Sequence, residues 1–397
     1  MDRLIRYVWP LPGLVIAAWF FPGFGDTVRS ALPSVEPLRY ALLFFGPIFL
    51  VVLVHEAAHA VTALVGGLPV MAFTAFPVAA HRVDGRWRLA LAPLNGLVGF
   101  VVVGAGDVSE QRFGRAYRAM TLAGPIASLC CLPMTVPALR WAFDGFPTEL
   151  HLARMVGAVT FSLMTLASLS SIVPYRIRGM RSDAANLLLA LRREHVATLH
   201  ATARRAELIY GGMRPRDWSS DAMTELVTVV QTPTHDALQL EHRLGSAVLL
   251  SCAYVDHGQL DDALALSVFA FQSIHDGGKI SSPGMQVLLV VAAHLTASHR
   301  SDIAGAKAIL GRFPVGAPIR RSSLFRITEA MVLDADGRRE EALHAAKDGR
   351  DLAASAARSV AVAKVELDLA EAVLTRLDAH ASTRTAPKAG PAYVDAA

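Results

Sequence analysis

Between Tyr40 and Val65 the chain carries an apolar run long enough to cross a lipid bilayer, and inside it stands His55-Glu56-Ala57-Ala58-His59. An acidic group and two imidazoles in hydrocarbon are costly, so a run that keeps them there implies that they serve a site. On a helix, residues four apart project from one face, which lets both imidazoles reach a single metal ion. Glu56 then lies beside them as a proton acceptor for water activated by Zn2+. The competing reading is a pair of satisfied core histidines.

The rest of the composition follows this run. The chain has 397 residues, 53% of them hydrophobic, and a mean hydropathy of +0.39. The long apolar stretches all precede Pro174, and the remainder is more mixed. That asymmetry predicts an all-α polytopic membrane domain over residues 1–181, a soluble helical domain over 182–379, and a disordered tail over 380–397. About four transmembrane helices are expected: Tyr7–Phe24, which is marginal and broken by prolines, then Tyr40–Val65, Met120–Trp141 and Leu152–Val173. Between the second and third, Gly66 to Arg88 changes character, with β-prone pieces at Val70–Phe76 and Arg86–Leu91. Irregular backbone at membrane depth has to be covered by protein or line a wet cavity, so a small re-entrant β-hairpin beside the motif is expected, with a plain surface loop as the alternative. Its free edge could take up an extended peptide by strand addition.

The formal charge is +4, mostly from arginine. Arg3 and Arg6 precede the first predicted span, Arg82 to Arg118 lie between the second and third, and Arg176 to Arg193 follow the fourth; the opposite loops carry few. This bias places both termini in the cytoplasm of a protein of the cell membrane. No basic stripe with interleaved aromatic residues appears, which argues against a nucleic-acid partner. Three cysteines form neither a disulfide framework nor a C-x-x-C pair.

Two histidines leave a catalytic zinc short of one protein ligand, because the fourth position is kept for water. Asp183 is the candidate: it follows the last predicted span after a Pro/Gly break and opens the helix Ala184–Arg193. Ser182 or Asp183 could instead simply cap that helix, although capping by Ser182 leaves Asp183 available. His81, in the basic loop, and His151, on the opposite side, are the rival ligands.

These residues together resemble the site-2 proteases, intramembrane zinc metalloproteases. The resemblance covers about residues 40–190 and rests on His55-Glu56-Ala57-Ala58-His59, on Ala123-Gly124-Pro125, and on the Pro174 to Asp183 segment, in the family's order. It implies that His55, His59 and Asp183 hold zinc, that Glu56 is the general base, and that the substrate is a transmembrane helix of another protein. It also implies substrate-holding roles for Asn95 and Gly96, in a Pro93–Phe100 stretch similar to the family's re-entrant strand, and for Gly124, Pro125, Ser128 and Ser171. Ser128 and Ser171 stand where family members usually carry Asn, and Ala184 stands where Gly commonly follows the third ligand. Those departures bear on turnover or substrate choice more than on metal binding.

In the second half, Gly258-Gln259-Leu260-Asp261-Asp262-Ala263 recurs as Gly337-Arg338-Arg339-Glu340-Glu341-Ala342, with a weaker copy at Ser301-Asp302-Ile303-Ala304-Gly305-Ala306. The spacing is near the tetratricopeptide period, so the domain resembles a degenerate tetratricopeptide array, an α-solenoid with a groove for a cytoplasmic protein partner. The expected activity is therefore intramembrane zinc-dependent peptide hydrolysis. The alternative is a catalytically inactive membrane scaffold acting through its helical repeats.

Overall fold

The computed structural model describes residues 37–83, 85–91, 99–143, 149–177, 180–234, 236–267, 271, 282–358 and 360–385. The predicted first span, Asn95 and Gly96 lie outside them. Among the described residues the chain divides into two compact units, 37–81 with 87–204, and 82–86 with 205–385.

In the first unit, helix α1 (Pro37–Val65) carries the motif. It stops where Gly67 takes φ +82°, a conformation that costs an L side chain about 1–2 kcal/mol, while Leu68 N–H bonds back to the Ala63 carbonyl at 2.9 Å. Four short strands follow: β1 (Val70–Ala75), β2 (Val78–Val83), β3 (Arg86–Leu91) and β4 (Gly99–Val103). They form one sheet in the order β3-β2-β1-β4, with β1 antiparallel to both β2 and β4. The expected hairpin is thus a four-stranded sheet. Its unforeseen member, β2, begins just after Pro77 and holds two alanines and a histidine, which give little β-strand signal.

Helices α2 (Glu110–Phe143) and α3 (Glu149–Leu169) pack on α1 and on each other. Three stretches in these helices and the short turn after α3, Phe45–Val65, Glu110–Ala142 and Arg154–Ile172, are long and apolar enough to cross a membrane. Only 33%, 22% and 28% of their most apolar windows are buried, so apolar surface such as Val61, Leu64, Ile126, Leu129 and Leu166 faces outward. Hydrocarbon around the bundle accommodates that surface; water would not.

After a 3-10 turn (Ser170–Ile172), strands β5 (Arg176–Ile177) and β6 (Met180–Arg181) form a two-stranded ribbon that returns the chain to helix α4 (Asp183–Leu191), followed by α5 (Arg193–Tyr210). Ala190, Leu199 and Ala203 from α4 and α5 share a core with Ala63, Leu68, Val70, Phe113 and Met120. The residues after Asp183 therefore belong to the first unit as far as Arg204, whereas the sequence boundary fell at 181/182. Helix α4 packs on α2.

The second unit is helical: α6 (Ser220–Gln231), α7 (Ala237–Asp256), α8 (Leu260–Leu266), α9 (Pro283–Ser298), α10 (Ile303–Leu310), α11 (Ser323–Ala335), α12 (Arg339–Ala356) and α13 (Ala363–Thr385). Each of the three related segments is the turn between two of these helices. Gly258 and Gly337 take φ 76° and 78°, and Ser301 takes φ 56° at the corresponding place. Ala263, Ala306 and Ala342, five residues beyond each turn residue, are each fully buried in one core. Helix α13 runs on to Thr385, so the expected tail begins in helix, and residues 386–397 lie outside the described part.

Candidate metal centre

Helix α1 presents His55 and His59 one turn apart, both buried, with ring centroids 4.9 Å apart. Neither ring is free to turn. His59 Nδ1 lies 2.6 Å from the Met120 carbonyl, and a carbonyl only accepts, so this nitrogen carries the proton. His55 Nδ1 lies 2.8 Å from Ser128 Oγ. Both Nε2 atoms consequently face the same point.

Asp183 reaches that point from the start of α4. Ser182 is the N-cap, its Oγ accepting from Ala185 N–H at 3.3 Å and Tyr175 N–H at 3.1 Å while donating to the Val173 carbonyl at 2.8 Å. A single hydroxyl thus ties the end of the last span to the helix that carries the ligand. Ser182 caps and Asp183 stays available. Asp183 Oδ2 stands 3.1 Å from His55 Nε2, Asp183 Oδ1 3.3 Å from His59 Nε2, and the two Nε2 atoms are 3.2 Å apart. Burial works to raise the Asp183 carboxyl, but the two imidazoles beside it outweigh that and hold the group well below the usual carboxylate range. The group is an ionised carboxylate.

These separations fit a metal ion. An ion bonded at ~2.0–2.2 Å in tetrahedral geometry sets its ligand atoms about 3.3–3.6 Å apart, at or just above the separations seen here. With its proton on Nδ1, His59 turns the Nε2 lone pair inward beside His55 Nε2 and the Asp183 carboxylate, a donor set that could hold a cation. Gly124 of α2 supplies the room. A Cβ on Gly124 would fall 2.2 Å from His59 Nε2 and 2.7 Å from His55 Nε2, so the glycine keeps both ring nitrogens clear.

Glu56, also buried, stands outside the three-residue cluster but within electrostatic reach of His59 and Asp183. Its neighbour is the first residue of β4, for a Cβ on Gly99 would meet Glu56 Oε1 at 2.6 Å and Val52 Cγ1 at 2.7 Å. The missing side chain lets the sheet lie directly on the acid.

Of the residues expected to form the site, His55, His59, Asp183 and Gly124 converge, with Ser128 behind His55 and Pro125 buried beside Gly124. Ser171 lies in the 3-10 turn after α3, and its hydroxyl has no hydrogen-bond partner among the described residues. The rival His81 sits in β2, outside the cluster, while the side chain of His151 is outside the described part. Sequence reasoning missed Ser168, Gly99 and the Met120 carbonyl. The serines and threonines of α3 are the available signal, because hydroxyls in a membrane-length helix can bond across to a neighbouring helix.

Compared with known proteins, the chain matches no family model, no curated protein and no solved structure.

Proposed function

We propose that the chain is an intramembrane zinc metalloprotease similar to the site-2 proteases, cutting a peptide bond in or near a transmembrane helix of another membrane protein. The observation that carries the reading is the triangle of His55 Nε2, His59 Nε2 and the Asp183 carboxylate, with its 3.1–3.3 Å edges and the glycine that keeps both ring nitrogens clear. Zinc held there supplies Lewis-acid activation of water and polarises a carbonyl. Glu56, beside the ligands and within electrostatic reach of His59 and Asp183, takes the proton from the attacking water and delivers it to the departing amide nitrogen. The first residue of β4, the outermost strand on its side of the sheet among the described residues, touches Glu56. A substrate segment unwound from its helix and laid along that strand would have its backbone groups satisfied where they meet the acid. Substrate residues of weak helix propensity are therefore favoured at the cut.

Four spans, with both termini cytoplasmic, follow if Tyr7–Phe24 also crosses the membrane. The helix pairs of the second unit suit a degenerate tetratricopeptide solenoid, because the Gly258, Ser301 and Gly337 turns share one left-handed conformation ahead of a buried alanine. Such an array would present a cytoplasmic protein partner or regulator with a groove. The departures at Ser128, Ser171 and Ala184 favour the scaffold alternative, whereas the contact of Ser128 Oγ with His55 Nδ1 at 2.8 Å favours a metal centre.

The test is a comparison of membrane proteomes from cells carrying wild type or Glu56→Gln. Cleavage should fall by at least about a hundredfold with zinc retained, uncut substrate accumulating in the variant. Identical proteomes would leave the scaffold reading.

A further inference from the structure

A chain of hydroxyls runs outward from His55. Ser128 Oγ lies 2.8 Å from His55 Nδ1, Ser168 Oγ lies 2.9 Å from Ser128 Oγ, and Ser168 Oγ lies 2.8 Å from the Thr165 carbonyl. Ser128 is 1% exposed, so no water competes for it. Each hydroxyl has one proton to give. A carbonyl can only accept, so satisfying all three contacts requires Ser168 to donate to Thr165 and Ser128 to donate to Ser168. Ser128 Oγ is then left as an acceptor, and the proton in its contact with His55 has to sit on Nδ1.

We infer that Ser128 and Ser168 are positioning residues that lock His55 in the Nδ1–H tautomer, with the Nε2 lone pair turned to the metal. The chain does for His55 what the Met120 carbonyl does for His59. One ligand is fixed by a backbone acceptor from α2. The other is fixed through two side chains that end on a backbone acceptor of α3. Without Ser168, the Ser128 hydroxyl could swing round and donate to Nδ1, placing the ring proton on Nε2, where it blocks coordination. The inference rests on the metal-centre reading and assigns Ser128 to the ligand shell, not to the substrate.

Zinc affinity of the full-length chain in detergent micelles, measured by competition with a chelator of known affinity, tests it. The thermal midpoint with zinc and after chelation is measured alongside. Ser128→Ala should weaken zinc binding about 10–100-fold, the effect usual for losing a partner that orients a ligand. Ser168→Ala, which leaves the group touching His55 in place, should weaken it several-fold. Ser162→Ala removes a hydroxyl on the same helix that bonds only to the Ala158 carbonyl, and should match wild type. In Ser168→Ala the chelated protein should melt close to wild type, and in both positioning variants the rise on adding zinc shrinks. Ser128→Ala and Ser168→Ala binding zinc as tightly as Ser162→Ala would overturn the inference and leave the metal centre standing. A wild-type chain that holds no zinc would overturn both. Should Ser128→Ala fail to fold, Ser168→Ala decides alone.

Discussion

Buried histidines occur in both units of the molecule, and they are handled in opposite ways. In the helices of the second unit, His294 and His242 are removed from water. Burial pushes the His294 imidazole down to about 4, and burial together with the nearby Arg205 guanidinium pushes His242 down to about 4. His294 has Thr328 Oγ1 at 3.4 Å, and that hydroxyl already donates to the Leu324 carbonyl. These are core histidines kept neutral. In the motif helix, each ring has one nitrogen anchored on an oxygen and the other turned toward a second ring and a carboxylate. The difference lies in whether the polar edges of several buried groups converge. Burial alone does not make a site.

The sharpest way to break that contrast is at Gly124, where the converging edges need empty space. Gly124→Ala puts a methyl group against both ring nitrogens and should lower zinc affinity by more than about a hundredfold, as read by chelator competition. An alanine variant that binds zinc like wild type would mean that the rings do not face the glycine.

A smaller effect belongs to the other region. Because the folded pKa values of His294 and His242 lie below the ordinary value of 6.5, the unfolded chain binds protons that the folded chain refuses as pH falls from about 6.5 toward 4. Their stabilising contribution is fully present above pH 6.5 and drains away across that window, by about 3 kcal/mol for each ring at the acid end. Hydrogen exchange in peptides from Pro283–Ser298 should therefore speed up with acid beyond the intrinsic pH dependence of amide exchange. His294→Leu should remove about half of that extra slope. An unaltered slope would show that His294 is not held neutral by the fold.

What the sequence made legible followed from spacing. His55, Glu56 and His59 are separated by one helical turn, so their shared face could be read directly, and Ser182-Asp183 announced a helix start. Repeats in the second half could be read because Gly258 and Gly337 mark left-handed turns, and even Ser301 keeps that conformation. Contacts between segments far apart in sequence were hidden. Ser128 and His55 are 73 positions apart, and Ser168 and Ser128 are 40 apart, so no local pattern links them. The boundary between the units was misplaced for a similar reason. Helices α4 and α5 look like the start of a helical array, yet Ala190 and Leu199 pack in the core with Ala63 and Phe113, which is what draws Asp183 back to the histidines.

Everything turns on whether Asp183 and the two imidazoles share one ion. X-ray absorption at the zinc edge, on the purified full-length chain with its metal quantified, addresses this directly. The account predicts one zinc per chain bound by two imidazole nitrogens and an oxygen at ~2.0–2.2 Å, with the zinc largely lost in Asp183→Ala. A chain without stoichiometric zinc, or an absorption spectrum that Asp183→Ala leaves unchanged, would contradict it.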